Sequence, residues 1–188
     1  MSRAGFVLAG GKSSRMGKDK ALLPFAGGTL AAHVARIVAE AAGSAIVIGD
    51  PEKYRGLGYA VRPDRTPGAG PLGGIESALG YTAADWNLVV ACDMPAVSAP
   101  FLRSLIETAE RLNTDALVPC GPAGRPEPLS AVYHRRCHAA LRAALDAGVR
   151  KVTDALNGLR VTAWTVDHTE CFMNLNTPEE WLRHHDAH

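Results

Sequence analysis

The run Gly5-Phe6-Val7-Leu8-Ala9 passes directly into Gly10-Gly11 and then into a basic stretch ending at Lys20. A short, wholly apolar segment cut off by two glycines reads as a buried parallel strand that delivers a loop to one sheet edge. The same rhythm recurs. Thr29 to Ala42 places Leu30, Val34, Ile37, Val38 and Ala41 at helical spacing, with Thr29 to cap it and Gly43 to stop it. Ala45 to Ile48 is a second strand, closed by Gly49-Asp50-Pro51, and Tyr59 to Val61 is a weaker third. Asn87 to Cys92 is the clearest buried strand and runs straight into Asp93-Met94-Pro95.

Between them, Arg62 to Gly74 holds three prolines and four glycines, followed by a helix over Gly74–Thr82. Ser98 caps a helix with Pro100 in its first turn that continues to about Leu112. Further strands are expected at Asp115–Pro119, Leu129–Tyr133 and Val161–Val166. Helices are expected at Arg135–Ala147 and Val152–Leu156, and a last one begins at Asn176-Thr177-Pro178-Glu179-Glu180. Strand–helix alternation predicts an α/β fold, a mostly parallel Rossmann-like sheet in a three-layer α/β/α sandwich. Ligands in such sheets bind at the carboxyl ends of the strands, where Gly10 to Lys20, Gly49-Asp50 and Asp93 all fall.

The 188 residues suit a single domain over 1–188, with a nucleotide-binding half to about residue 100 and an acceptor-binding half over 101–188. Formal net charge is +1, so bulk nucleic-acid binding has no compositional support and an anionic ligand must be met by locally placed groups. No apolar run approaches the ~18–20 residues needed to span a bilayer, which argues against membrane insertion and for a cytoplasmic address. Cys92, Cys120, Cys137 and Cys171 lack metal-ligand spacing and read as ordinary thiols. The C-terminal His184, His185 and His188 read as solvated end residues, and Trp181 as a packing anchor.

Two common phosphate loops are excluded. Gly11-Lys12-Ser13 lacks the glycine a P-loop needs at position 6, where Phe6 stands, and Gly10, Gly11 and Gly17 miss the dinucleotide spacing. What remains is a loop whose adjacent glycines bring backbone N–H groups against phosphate oxygens. Arg15 offers a two-pronged anion contact and Lys20 a compact charge. A solvated basic loop is the plainer alternative.

Leu8-Ala9-Gly10-Gly11-Lys12-Ser13-Ser14-Arg15-Met16-Gly17-Lys18-Asp19-Lys20 resembles the signature of a nucleotidyltransferase superfamily. Within it the chain looks most like the molybdenum cofactor guanylyltransferases, the MobA family. The likeness continues in Arg62-Pro63-Asp64, Gly70-Pro71-Leu72-Gly73-Gly74-Ile75, Cys92-Asp93-Met94-Pro95, Arg125-Pro126-Glu127-Pro128-Leu129 and Asn174-Leu175-Asn176-Thr177-Pro178. The motifs follow in family order across nearly the whole chain.

The resemblance implies transfer of GMP from GTP to the terminal phosphate of molybdopterin or its molybdenum form, with magnesium as the metal. It implies catalytic roles for Arg15, Lys20 and Asp93, and magnesium ligation by Asp93. It places Leu8, Ala9, Gly10, Gly11, Asp64 and Gly73 with Arg15, Lys20 and Asp93 at the nucleotide, and Arg125, Asn174 and Asn176 towards the acceptor. Plainer readings stand beside several of these. Asp93 is also suited to a turn or helix cap, Asp64 to an Asx turn, Asn176 to a helix cap and Arg125 to a solvated loop. Gly49-Asp50 departs from the family, which often carries an asparagine there. The rival functions are a cytidylyltransferase acting on the same pterin, a sugar-phosphate nucleotidyltransferase and a silent nucleotide-binding protein that delivers cofactor. Molybdoenzymes or other cofactor-biosynthesis proteins are the further partners the resemblance implies.

Overall fold

The computed structural model describes residues 1–10, 19–167 and 170–172. Strand β1 (Arg3–Leu8) leads to a 3-10 turn at Lys20–Leu22, a small hairpin of β2 (Pro24–Phe25) and β3 (Gly28–Thr29), and helix α1 (Leu30–Ala42). Then come β4 (Ile46–Ile48), α2 (Pro51–Tyr54), β5 (Ala60–Arg62), α3 (Pro71–Gly80) and β6 (Trp86–Ala91). Helix α4 (Ala99–Leu112), β7 (Ala116–Cys120), β8 (Ser130–His134), α5 (Cys137–Asp146), α6 (Val152–Ala155) and β9 (Val161–Thr165) complete the described elements.

The local signals act where the residues place them. Thr29 accepts the Ala32 N–H and caps α1, which ends on Gly43 at φ 83°. Ser98 accepts the Phe101 N–H to cap α4, and Asn113 closes that helix in the left-handed conformation. Helix α3 starts at Pro71, a turn earlier than its apolar spacing suggests, because proline has the φ of a first helical residue. Gly70 before it sits at φ 69°, ψ −157°, a backbone that a side chain disfavours.

One seven-stranded sheet runs β5-β4-β1-β6-β8-β7-β9. Pairing is parallel except for β8, which lies antiparallel between β6 and β7. β7 and β9 are parallel to each other, so their carboxyl ends lie on the same edge as those of β1 and β6. Side chains alternate across the sheet. Val7, Leu88 and Val90 face a core layer built by α1 and α4 through Val34, Val38, Leu102 and Leu105. Phe6 and Val89 face the opposite layer, with Leu72 and Ile75 of α3 and Leu141 and Leu145 of α5. Strand β6 is buried along all six residues, as a central strand covered on both faces must be. Among the described residues no helix is long and apolar enough to cross a membrane.

Towards the β9 margin of the sheet, Asp115 ties three elements together. Its carboxylate accepts from Arg136 Nε at 2.5 Å, Arg160 Nη2 at 3.0 Å and the Arg160 backbone N–H at 2.9 Å. Burial pushes its pKa up, but the hydrogen bonds from Arg160 and Arg136 outweigh it and bring the group down to about 2.

Candidate active site

The parallel core brings the carboxyl ends of β1, β4 and β6 side by side, and short backbone bonds hold the chain together just beyond them. Ala9 N–H donates to Ile48 O at 2.9 Å, Cys92 N–H to Leu8 O at 3.1 Å and Gly49 N–H to Arg62 O at 2.9 Å. Four segments far apart in sequence thus form one ledge.

Asp93 stands on this ledge, two residues past the end of β6 and half-buried. It is not a helix cap, since Ser98 fills that role. Across from it is Lys20, whose Nζ lies 3.9 Å from Asp93 Oδ2. That separation is an ion pair longer than a hydrogen bond. Burial raises the Asp93 pKa above the usual carboxylate value, and the Lys20 charge pulls part of it back. A desolvated carboxylate beside a cation is suited to a ligand that supplies both positive and negative charge, such as a metal–phosphate complex.

Lys20 owes its position to Asp19, which the sequence motif contains but to which no role was given. Asp19 caps the 3-10 turn by accepting the Ala21 N–H at 3.0 Å. Its other oxygen accepts the Tyr54 hydroxyl at 2.7 Å and pairs with Lys53. Burial raises the Asp19 pKa, but the bonds from Lys53, Tyr54 and Ala21 leave it below the usual carboxylate value. The same burial and the Asp19 contact push the Tyr54 phenol far above its ordinary value. Tyr54 is therefore a permanent donor, and Asp19 is fully committed to holding the turn.

Gly49 explains the departure at the end of β4. A Cβ there would sit 2.3 Å from Ala9 O and 2.6 Å from the Tyr54 ring. The space an asparagine needs is taken by the tyrosine that reaches Asp19. Asp50 meanwhile caps α2, accepting from the Glu52 and Lys53 N–H groups.

Asp64 adopts its turn role: Oδ1 accepts the Thr66 N–H and the Ser77 hydroxyl, both at 2.9 Å. A Cβ on Gly73 would come within 3.5 Å of that same oxygen, and one on Gly74 would touch Leu8 at 3.2 Å. Asp64, Gly73 and Leu8 thus meet beside the β1 end of the ledge. Arg125 lies in the loop between β7 and β8, largely exposed, with Nε 3.7 Å from Glu127 Oε1. Gly10 ends the described part of the glycine loop; Gly11, Arg15, Asn174 and Asn176 lie outside the described residues.

His33 is a further residue that sequence spacing did not single out. From α1 its Nε2 donates to Pro95 O at 3.3 Å, tying the turn after Asp93 to the helix. Its ring also meets Phe25 of the β2–β3 hairpin edge-on at 4.7 Å.

Among the described residues no three His, Cys, Asp or Glu side chains cluster as a metal cage. Magnesium does not require one, because it is commonly held by one or two carboxylates together with substrate phosphates and water. Asp93 fits that pattern, whereas Asp19 is occupied by its donors.

The chain has relatives among known proteins. Residues 5–161 match the family model described as MobA-like NTP transferase domain. A Methanothermobacter thermautotrophicus protein named probable molybdenum cofactor guanylyltransferase is 37% identical over 93% of this chain and 94% of its own. A Bacillus cereus protein of the same name is 34% identical over 96% and 94%. The crystal structure of molybdopterin-guanine dinucleotide biosynthesis protein A from Archaeoglobus fulgidus superposes with a TM-score of 0.83 at 27% identity, covering 98% of this chain and 97% of that one. The chain belongs to the MobA-like NTP transferase family and has its nucleotidyltransferase fold.

Proposed function

We propose that the protein transfers GMP from GTP to the terminal phosphate of molybdopterin, forming the guanine dinucleotide and releasing pyrophosphate. The observation that carries this reading is the Lys20–Asp93 pair at 3.9 Å on the ledge where β1 and β6 end. The names of the relatives point to the substrates, and the carboxyl edge of the sheet is where such folds bind ligands.

The acceptor phosphate is already anionic near neutral pH, so the reaction needs no general base. What remains is to bring two anions together and to stabilise charge on the triphosphate. In this reading Lys20 contacts triphosphate oxygens, held on line by the Asp19–Tyr54 bond. Arg15, from the same loop, forks onto a second phosphate. Ala9, Gly10 and Gly11 carry the chain past the nucleotide with little side-chain bulk, and Leu8 borders it beside Gly74. Asp64 and Gly73 border the base or ribose. Arg125, Asn174 and Asn176 serve the acceptor. Asp93 holds magnesium, which when bound neutralises triphosphate charge and favours departure of pyrophosphate.

Pyrophosphate release with molybdopterin and each of GTP, CTP, ATP and UTP tests the proposal directly. Release with GTP alone supports it, and release with CTP in preference to GTP overturns the choice of base. Thermal shift with each nucleotide and magnesium gives an independent order of preference.

A further inference from the structure

The carboxyl edge carries a second concave feature, three strands away from Asp93. A cavity of about 380 Å³ opens between the start of α4 and the end of β9, lined by Ser98, Phe101, Trp164, Thr165, Asp167 and Cys171. Two of its lining residues are aromatic. Phe101 and Trp164 lie within 7° of parallel with 6.3 Å between ring centroids. Phe172 meets Phe101 edge-on at 5.8 Å. Trp164 and Phe101 are half-buried and keep part of their surface open.

Its position suits the acceptor. Sheet order places Asp64 and Gly73 towards the β5–β4–β1 side, Asp93 at β6, and β9 at the opposite margin. From β6 to β9 is three strand spacings, about 14 Å. A ring system bearing a phosphorylated arm can reach across that interval with its phosphate at the ledge. Ser98 lies only five residues after Asp93, so the turn that carries the carboxylate also leads into the cavity.

Flat aromatic walls select flat ligands, since stacking on a ring face is favourable for any planar heterocycle. The cavity volume matches a small fused ring in the usual range for ligand sites. At its rim stands the exposed carboxylate of Asp167. A carboxylate accepts two parallel N–H bonds, which is what the 2-amino-4-oxo pyrimidine edge of a pterin presents.

We infer that Phe101 and Trp164 form the ring-binding subsite for the pterin of the acceptor, with Asp167 addressing its amino edge. The inference rests on the reading of the protein as a transferase to a pterin phosphate. Guanine carries the same hydrogen-bonding edge, so the test must separate the two heterocycles.

The test uses pterin-6-carboxylate, a fluorescent probe without phosphate, titrated into the full chain. Stacking on an indole quenches its emission. Because the indole is itself the quencher, binding is read by the probe's fluorescence anisotropy: affinity is expected in the unaltered protein, is expected to weaken about tenfold or more in Trp164→Leu and Phe101→Leu, and is expected to survive in Trp164→Phe. Guanosine at equal concentration is expected not to displace the probe. In turnover, Trp164→Leu is expected to raise KM for molybdopterin by a similar factor while KM for GTP stays put. Unchanged probe affinity in Trp164→Leu, or displacement of the probe by guanosine, overturns the assignment. Failure of the wider functional reading shows separately, as absence of pyrophosphate release from any nucleotide with molybdopterin while the probe still binds at Trp164.

Discussion

The Tyr54 hydroxyl donates to Asp19 Oδ2 at 2.7 Å, across 35 residues of sequence. This bond couples the far end of the glycine loop to the helix after β4, and so fixes where Lys20 points. A hydrogen bond to a charged group is worth about 1.5–3 kcal/mol. Tyr54→Phe keeps the ring against Gly49 but deletes the bond. The expected outcome is a KM for GTP raised by about tenfold and a modest fall in Tm, read by steady-state kinetics and calorimetry. A change in Tm without any change in KM would deny Asp19 its part in placing Lys20.

Asp93 links activity to stability with opposite signs. Burial raises its folded pKa, so the folded state holds the proton more tightly than the unfolded chain does. Its contribution to stability is therefore greatest at low pH and is lost as pH rises through the folded value. Asp93→Asn removes that charge. At pH 7 it should raise Tm by about 2 °C while reducing pyrophosphate release by at least about a hundredfold. Normal transfer by Asp93→Asn would remove it from the metal site.

Asp115 behaves in the reverse sense. Its folded pKa of about 2 lies below the unfolded value near 3.9. The stability it confers is complete above about pH 5 and is lost as pH falls through the folded value. Asp115→Asn keeps one acceptor oxygen but removes the charge shared by Arg136 and Arg160 and puts an amide NH2 where a second acceptor stood. It should lower stability by about 2 kcal/mol at pH 7 and flatten the acid side of the stability profile, with GTP affinity retained. Urea melts at several pH values give the comparison, and an unaltered acid slope would count against the assignment.

Gly49→Ala should be costly despite the small change. The added carbon would press on Ala9 O and the Tyr54 ring at once, and overpacking of this kind costs about 1–3 kcal/mol. Because both neighbours belong to the ledge, loss of GTP binding should accompany the loss of stability. An alanine variant with full affinity would mean the tyrosine moves aside without consequence.

Much of this fold is legible in the chain because its signals are local. The apolar run at 87–92, the caps at Thr29 and Ser98 and the stops at Gly43 and Asn113 act within a few residues of themselves. Asp93 and Lys20 were singled out as candidates because each sits at the end of such a signal. The Asp19–Tyr54–Lys53 group was not, since Tyr54 reads as one apolar position in a polar segment and its partner lies a strand and a helix earlier. The reversal of β8 has the same cause. A buried strand reads alike in either direction, and only its neighbours decide which way it runs. Asp64 shows the opposite limit: its turn role was written in its own dipeptide, and the Ser77 hydroxyl that shares its oxygen was not.

The antiparallel β8 has a mechanical consequence. By pairing with β6 on one side and β7 on the other, it stitches the strand bearing Asp93 to the strands bearing the aromatic cavity. Transferases built from two lobes bring their substrates together by swinging one lobe over the other. A sheet laced continuously from β5 to β9 has no hinge line for such a swing. The separation of the Asp93 ledge from the aromatic cavity is then set when the chain folds.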